Sequence, residues 1–293
     1  MSLILFTVSG CGRCRFVKKF LDERQVSYQE RNVKLDGAEE FRDFYKRNRH
    51  LIVRSSEGIQ FPILTDGQWI KQTIGPIISW AMGDPDLEAF FAPGLAHGQW
   101  IDGISVSSGD WRLCESFLEI LLYLKSHSFK LQLNSWGKNA AILERMLEQD
   151  IPDRMVMEVN PLFSMPQSPS EDLGKGDEIR LSIALTPRFK EYWFQTVISP
   201  IPVKNSSAQQ YRWPTLEEIA RAAKLVEDIT GNKKHPYFLV PWSANSNVAP
   251  ERADLKPLGK GELLRYRAAV RTHQVFAEIR ELPIYKFSQG GTR

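Results

Sequence analysis

The sequence predicts an α/β protein built in two parts, and three observations carry that expectation. Residues 3–14, LILFTVSGCGRC, run from a short apolar strand into a turn holding two cysteines, and an amphipathic helix pattern follows at once. From residue 101 onward, strand-like and helix-like segments alternate, the pattern of a parallel sheet covered by helices. At 293 residues the chain exceeds one typical domain, and turn-forming residues crowd positions 83–99 between the two patterns. The expected organisation is therefore a first domain over 1–82, a linker over 83–99 and a second domain over 100–293.

In the first part, Val26–Val33 alternates as a second strand, and Phe41, Phe44 and Tyr45 recur at helical spacing within Glu39–Arg49. Phe61–Thr65 and Gln68–Lys71 flank Asp66-Gly67, a hairpin signal. A third helix is expected after Gly75-Pro76, through Ile77, Ile78 and Trp80.

Composition narrows the classes. With 42% hydrophobic and 25% charged residues, the chain has the make-up of a water-soluble globular protein. A net charge of +3, with acidic and basic residues interleaved, gives no reason to expect nucleic acid as a partner. No apolar run approaches the roughly 20 residues that span a bilayer, so no membrane association is expected. Three cysteines and no secretory pattern point to a cytoplasmic setting rather than a disulfide-stapled extracellular one.

Two of those three cysteines, Cys11 and Cys14, sit in the first turn. That placement puts Cys11 near the positive end of the following helix, where a thiolate is stabilised, and Arg13, Arg15 and Lys18 add positive charge. Redox exchange is the favoured chemistry. Half of a zinc site is the first alternative, but no second ligand pair is near: His50 and His97 are isolated and Cys114 stands alone. A bridging iron–sulfur cluster and an inert docking domain are the others.

Residues 3–82 resemble a glutaredoxin, a member of the thioredoxin-fold superfamily. The Ser9–Cys14 turn resembles its active site, Phe61-Pro62 stands in the place of its cis-proline, and Asp66-Gly67 resembles its hairpin turn. Thr73-Ile74-Gly75-Pro76 is similar to the loop before the last helix of glutaredoxin-like electron donors to ribonucleotide reductase. The resemblance implies a thioredoxin-like fold and a cis Pro62. It implies Cys11 as nucleophile and Cys14 as resolving thiol. It also implies Gly12, Arg13, Phe61, Pro62 and Gly75 as substrate-binding residues. Gly12-Arg13 replaces the Pro-Tyr of many relatives, no lysine precedes Cys11, and Gln60-Phe61 replaces Thr-Val. These differences bear on glutathione as a partner rather than on dithiol exchange.

In the second part, Ile101–Ser107, Phe129–Leu133 and Met155–Val159 read as strands, and Glu115–Lys125 and Ala140–Glu148 as helices. Residues 100–245 resemble radical S-adenosylmethionine activating enzymes, which implies a partial (β/α) barrel. The likeness lies in Trp100–Asp110, in Leu133–Gly137, in Pro152–Asn160 and in the last helix and strand at Thr215–Ile229 and Pro236–Trp242. The cluster motif is absent, since Thr7 stands where a third cysteine would precede Cys11. The Gly-Gly-Glu-Pro turn has become Ser108-Gly109-Asp110-Trp111, and Asn160 takes the place of a lysine. The expected domain is barrel-like without radical chemistry, with Ser108, Gly109 and Asp110 as a candidate ligand turn. Asp102, Glu158 and Asn160 are further polar residues at strand ends.

Residues 164–178 and 200–207 read as surface loops, and Tyr192, Trp193, Phe194, Tyr211 and Trp213 face a partner or pack in the core. Glu262–Ile279 reads as one amphipathic helix. The predicted function is a thiol–disulfide oxidoreductase using the Cys-Gly-Arg-Cys dithiol, with the second domain recognising the partner. Its partners would be a protein disulfide and a reductant, either glutathione or a thioredoxin-reductase-like enzyme. No cofactor is required, and neither an iron–sulfur cluster nor S-adenosylmethionine is expected. The alternative is a redox-sensing or docking accessory protein of an anaerobic radical enzyme system.

Overall fold

A computed structural model describes residues 2–55, 58–91, 100–161, 173–203, 210–242, 256–280 and 286–287. The chain divides into two compact units. The first comprises Met1–Ile104, Ser108–Lys130 and Ile284–Arg293, and the second comprises Ser105–Ser107 and Leu131–Pro283.

The first unit opens with β1 (Leu3–Thr7), α1 (Gly12–Glu23), β2 (Tyr28–Asn32) and α2 (Ala38–Asn48). β3 (Val53–Ser55), β4 (Gly58–Ile59), β5 (Ile63–Thr65), β6 (Ile70–Gln72) and α3 (Ile74–Ala81) follow. Four strands form a sheet in the order β2-β1-β5-β6, with β1 parallel to β2 and antiparallel to β5. Side-chain alternation along β1 explains its central place. Ile4 and Phe6 join Phe44, Ile52 and Ile63 in one apolar cluster, while Leu5 is fully buried on the other face of the strand. Val17, Phe20 and Leu21 of α1 and Ile77 and Ile78 of α3 are likewise almost fully buried, each contributing about 1.5–3 kcal/mol of transfer free energy. The Asp66-Gly67 turn forms the expected hairpin, with Asp66 Oδ1 accepting from the backbone N–H groups of Gln68 and Trp69 at 2.8 and 3.1 Å.

Residues far along the chain complete this unit. β7 (Trp100–Ser105) leads toward α4 (Cys114–Ser126), which packs through Phe117 on Phe90, the rings stacked 4.0 Å apart. Tyr123 of α4 meets Phe16 and Phe20 of α1 at ring distances of 5.5 and 5.1 Å. Arg24 lies 3.8 Å over the Phe20 ring and pairs with Glu119. Within the stretch expected as a linker, Pro85–Phe90 forms a 3-10 turn whose Leu87 and Phe90 are buried, and residues 92–99 lie outside the described residues.

The second unit contains β8 (Lys130–Ser135), α5 (Ala140–Glu148), β9 (Arg154–Glu158), α6 (Leu173–Leu185) and β10 (Tyr192–Ile198). The short pair β11 (Ile201–Pro202) and β12 (Tyr211–Arg212) precedes α7 (Leu216–Thr230), β13 (Tyr237–Pro241), α8 (Lys260–Arg271) and β14 (Ala277–Ile279). β15 (Lys286–Phe287) returns to the first unit and pairs with β3. Strands β8, β9, β10, β13 and β14 stand side by side in chain order, all parallel. Order without reversal places successive crossovers on one face, because such connections share one hand. That face holds Met157, Phe194, Tyr237 and Leu239 against Ile183 of α6, Ile219, Ala222 and Val226 of α7, and Tyr266 and Val270 of α8. The sheet is α/β as expected, and its described strands form an open parallel sheet rather than a closed barrel.

The structure adds to or changes the sequence expectations at four places. β3 and β4 form a hairpin the sequence pattern did not reveal, because each is only two or three residues long. Residues 173–178, read as loop for their glycines, open α6, whose Ile179 and Ile183 face the core; residues 164–172 lie outside the described residues. Trp193 and Phe194 belong to β10, a central strand, and are buried. The helix expected over Glu262–Ile279 ends at Arg271, and β14 begins at Ala277, pairing with β13. Val275 and Phe276 supplied helical spacing, yet both are exposed, whereas Ala277 and Ile279 face the core with strand alternation.

Candidate active site

The first turn of α1 builds the reactive centre. Cys11 is the N-cap residue, with extended backbone, and its Sγ accepts a hydrogen bond from the Cys14 backbone N–H at 3.1 Å. Three helical positions later Cys14 turns inward and is 2% exposed, while Cys11 stays half-exposed. The two cysteines are joined as a disulfide with Cα atoms 5.3 Å apart, within the roughly 4.4–6.8 Å that a disulfide spans.

In the dithiol state the two thiols differ. The Cys14 thiol hydrogen-bonds to Cys11 and holds its pKa down to about 6, helped by the Cys14 and Arg13 backbone N–H groups and the Arg13 charge against the opposing effect of burial. Cys14 is pushed up, first by that same hydrogen bond and then by burial. At neutral pH Cys11 is therefore mostly thiolate and Cys14 is its proton-bearing donor. Of the three cations singled out in the sequence, Arg13 acts on Cys11, while Lys18 pairs with Glu30 at 2.9 Å.

The loop facing the dithiol is held by contacts that no local pattern announces. The Phe61–Pro62 bond is cis, as the family resemblance implies. Gln60 is buried and its side chain accepts from Arg13 Nη1 at 2.9 Å, tying the dithiol turn to the proline loop. Gln72 of β6 clamps the loop from behind: its Nε2 donates to the Gln60 and Val53 carbonyls at 2.7 and 2.9 Å, and its Oε1 accepts from Val53 N at 2.8 Å. The Pro62 carbonyl accepts from Thr73 N at 2.9 Å, joining the proline to the residue before α3.

A groove of about 590 Å³ opens on Cys11. Gly12, Arg13 and Phe61 line it, as do Arg15, singled out for its charge, and the unanticipated Phe16, Lys19, Gln60, His127 and Phe129. Cys14 is outside this groove and borders, together with Cys11, a smaller cleft of about 120 Å³ with Lys18, Glu30 and Asn32. Pro62 and Gly75 stand outside the groove's lining. Gly75 is buried in α3, where an added Cβ would lie 2.3 Å from the Phe91 ring, so close approach is what requires glycine there. The signal for His127–Phe129 was absent from sequence because the residues stand more than a hundred positions beyond the dithiol. Only the packing of Tyr123 and Phe129 around Phe16 brings that turn to the site.

The second set of candidates is not gathered at this site. Asp110 accepts from the Arg112 backbone N–H at 2.9 Å and forms an ion pair with the Arg112 guanidinium, which holds its carboxyl down to about 2. Gly109 lies against the Phe90 ring, and neighbouring Ser108 is exposed. Glu158 ends β9, where Gln195 Nε2 reaches it at 3.5 Å and burial pushes its carboxyl up. The Asp102 side chain lies outside the described residues. Cys114 opens α4 and is half-buried. Among the described residues no group of three or more His, Cys, Asp or Glu side chains is arranged to hold a metal ion. No described helix is long and apolar enough to cross a membrane.

The class follows from the strand–dithiol–helix unit, the cis-proline loop and the mixed four-stranded sheet: the first unit has a thioredoxin-like fold. Residues 3–58 match the glutaredoxin family model, a stretch that contains the dithiol and ends just before the cis-proline loop. No curated protein matches the chain.

Proposed function

We propose that the protein is a thiol–disulfide oxidoreductase in which Cys11 attacks and Cys14 resolves. The observation that carries this is the asymmetry of the pair: Cys11 borders the groove with its pKa held to about 6, while Cys14 is buried behind it. The Cys11 thiolate attacks one sulfur of a substrate disulfide, forming a mixed disulfide and releasing one substrate thiolate, which takes up a proton. Cys14 loses its proton and attacks Cys11 Sγ, closing the Cys11–Cys14 disulfide and releasing the second substrate thiolate. Two electrons pass to the substrate. An external thiol reductant, glutathione or a thioredoxin-reductase-like enzyme, restores the dithiol.

Phe61, Pro62 and Arg13 would orient the substrate sulfur, with Gly12 leaving the approach open. The second unit is read as a partial (β/α) barrel for partner or substrate recognition, supported by its parallel strands in unreversed order. Turnover of a small disulfide by wild type and Cys11→Ser is the test. Loss of exchange by at least about a thousandfold is expected when the thiolate is removed. Cys14→Ser should accumulate the mixed disulfide, visible by intact mass. Undiminished turnover in Cys11→Ser would refute the assignment.

A further inference from the structure

The groove beside Cys11 has a direction. Gly12, Arg15, Phe16 and Lys19 fall on one stripe of α1, at spacings of three and four residues, and all four line the groove. From Gly12 to Lys19 the stripe runs seven residues, or about 10 Å along the helix. The His127–Phe129 turn also borders the groove, with the Phe129 ring packed on buried Phe16 at 4.9 Å and the His127 ring at 5.2 Å. Ile59 and Phe61 also line it.

Charge along this path has one sign. Arg13, Arg15 and Lys19 line the groove, and among the described residues its lining includes no carboxylate. Arg15 is exposed. Lys19 also reaches Glu23, one helical turn further on, at 3.7 Å, with both side chains open to solvent. Glu23 is itself engaged by the Tyr123 hydroxyl.

We propose that the groove receives an extended segment of a protein disulfide substrate that carries an acidic residue about three positions from the reacting cysteine. About 10 Å is the span of three extended residues. With the substrate cysteine at Cys11, an intervening apolar side chain lies against Phe129, which is half-buried over Phe16, and the carboxylate reaches exposed Lys19 and Arg15. This specificity rests on the oxidoreductase reading above and adds the substrate's chemistry. It assigns His127–Phe129, outside the glutaredoxin match, as part of the surface that the segment crosses.

The experiment compares kcat/KM for peptide mixed disulfides of one sequence. Glu stands three residues from the cysteine in one, beside it in another, and Lys replaces the distant Glu in a third. Glutathione disulfide and bis(2-hydroxyethyl) disulfide complete the set. At low ionic strength the distant-Glu peptide should exceed the Lys peptide by on the order of tenfold, a gap that added salt narrows. Lys19→Glu and Arg15→Glu should each lower or invert that ratio. A ratio near one, or one unmoved by both variants, would overturn the proposal. So would equal preference for the adjacent-Glu peptide or glutathione disulfide, whose carboxylates share the chemistry without the reach. Absence of turnover even on the neutral disulfide would overturn the oxidoreductase reading itself, and the two failures are thereby distinguished.

Discussion

The two units use polar groups differently. In the first, a half-exposed sulfur faces an open groove, and its thiolate is stabilised chiefly by the second thiol, which is itself buried. In the second, several buried polar groups answer one another, while the Ser105 and Ser182 hydroxyls are buried without a hydrogen-bond partner. The Thr196 hydroxyl bonds to the Val159 carbonyl at 2.9 Å and to the Tyr237 hydroxyl at 2.5 Å. Ser107 Oγ accepts from Trp136 N and Lys138 N at 3.1 Å and meets Ser135 Oγ at 3.0 Å. Glu218, 4% exposed, takes both Arg212 and the Thr215 N–H. The lesson is that buried polarity alone does not mark a reactive site. A reactive group needs access and an imbalance between its partners, and among these groups that combination is found at Cys11.

Substitutions can break or sharpen that contrast. The largest effect is expected for Phe194→Ala, which empties the core of the second unit where Phe194 is fully buried. It should cost about 3–5 kcal/mol in chemical denaturation, while the folded protein still exchanges a small neutral disulfide. Loss of dithiol reactivity in parallel would show that the contrast between the units is false.

Next comes Gly109→Ala, whose Cβ would stand 2.3 Å from Phe90 beneath the Phe90–Phe117 stack. Overpacking of about 1–3 kcal/mol is expected, read from the unfolding midpoint. A neutral result would mean that the ring moves aside freely.

Thr215→Ala removes one half of the capping box at the start of α7, for about 1 kcal/mol. Because Arg212 holds Glu218 below the usual carboxylate range, its contribution is present above the unfolded-state value and disappears as pH falls through the lower folded-state value. An unfolding series at decreasing pH should therefore show less acid sensitivity in Glu218→Gln than in wild type.

The smallest change concerns the dithiol. Alkylation of the reduced protein at Cys11 should rise with pH to a plateau with a midpoint near 6. Arg13→Ala should move that midpoint upward only slightly, since the Cys14 hydrogen bond outweighs the Arg13 charge. The stability linked to Cys11 follows the same sign. Its folded pKa is lowered, so that contribution is complete above the unfolded thiol value and is lost as pH falls through about 6. A midpoint for alkylation at the ordinary thiol value would remove the asymmetry on which the proposed chemistry depends.

Much of the first unit was legible in sequence. The apolar run of β1, the two cysteines three apart, the helix after them and the Asp66-Gly67 hairpin are local signals, each set by neighbours within a few residues. In the second unit the strands and helices through β9 were also legible from hydrophobic period, while α7 and β13 were anticipated only through the family resemblance. β10 was missed because a strand buried on both faces lacks alternation: Trp193, Phe194, Gln195 and Thr196 are all buried. The end of α8 was missed because exposed Val275 and Phe276 mimic a continuing helical stripe.

The sequence by itself determined the chemistry available here, a dithiol at the start of a helix, since cysteine spacing and the helix that follows are properties of one short segment. Tertiary structure decided which sulfur is reachable, because Cys14 is buried by packing and Cys11 is not. It also decided what shape meets that sulfur. Gln60, Gln72 and the His127–Phe129 turn reach the site through contacts spanning 12 to more than a hundred residues. The glutamine contacts are hydrogen bonds across the fold and the turn is held by burial of apolar surface, and neither has a direction along the chain or leaves a local pattern to read.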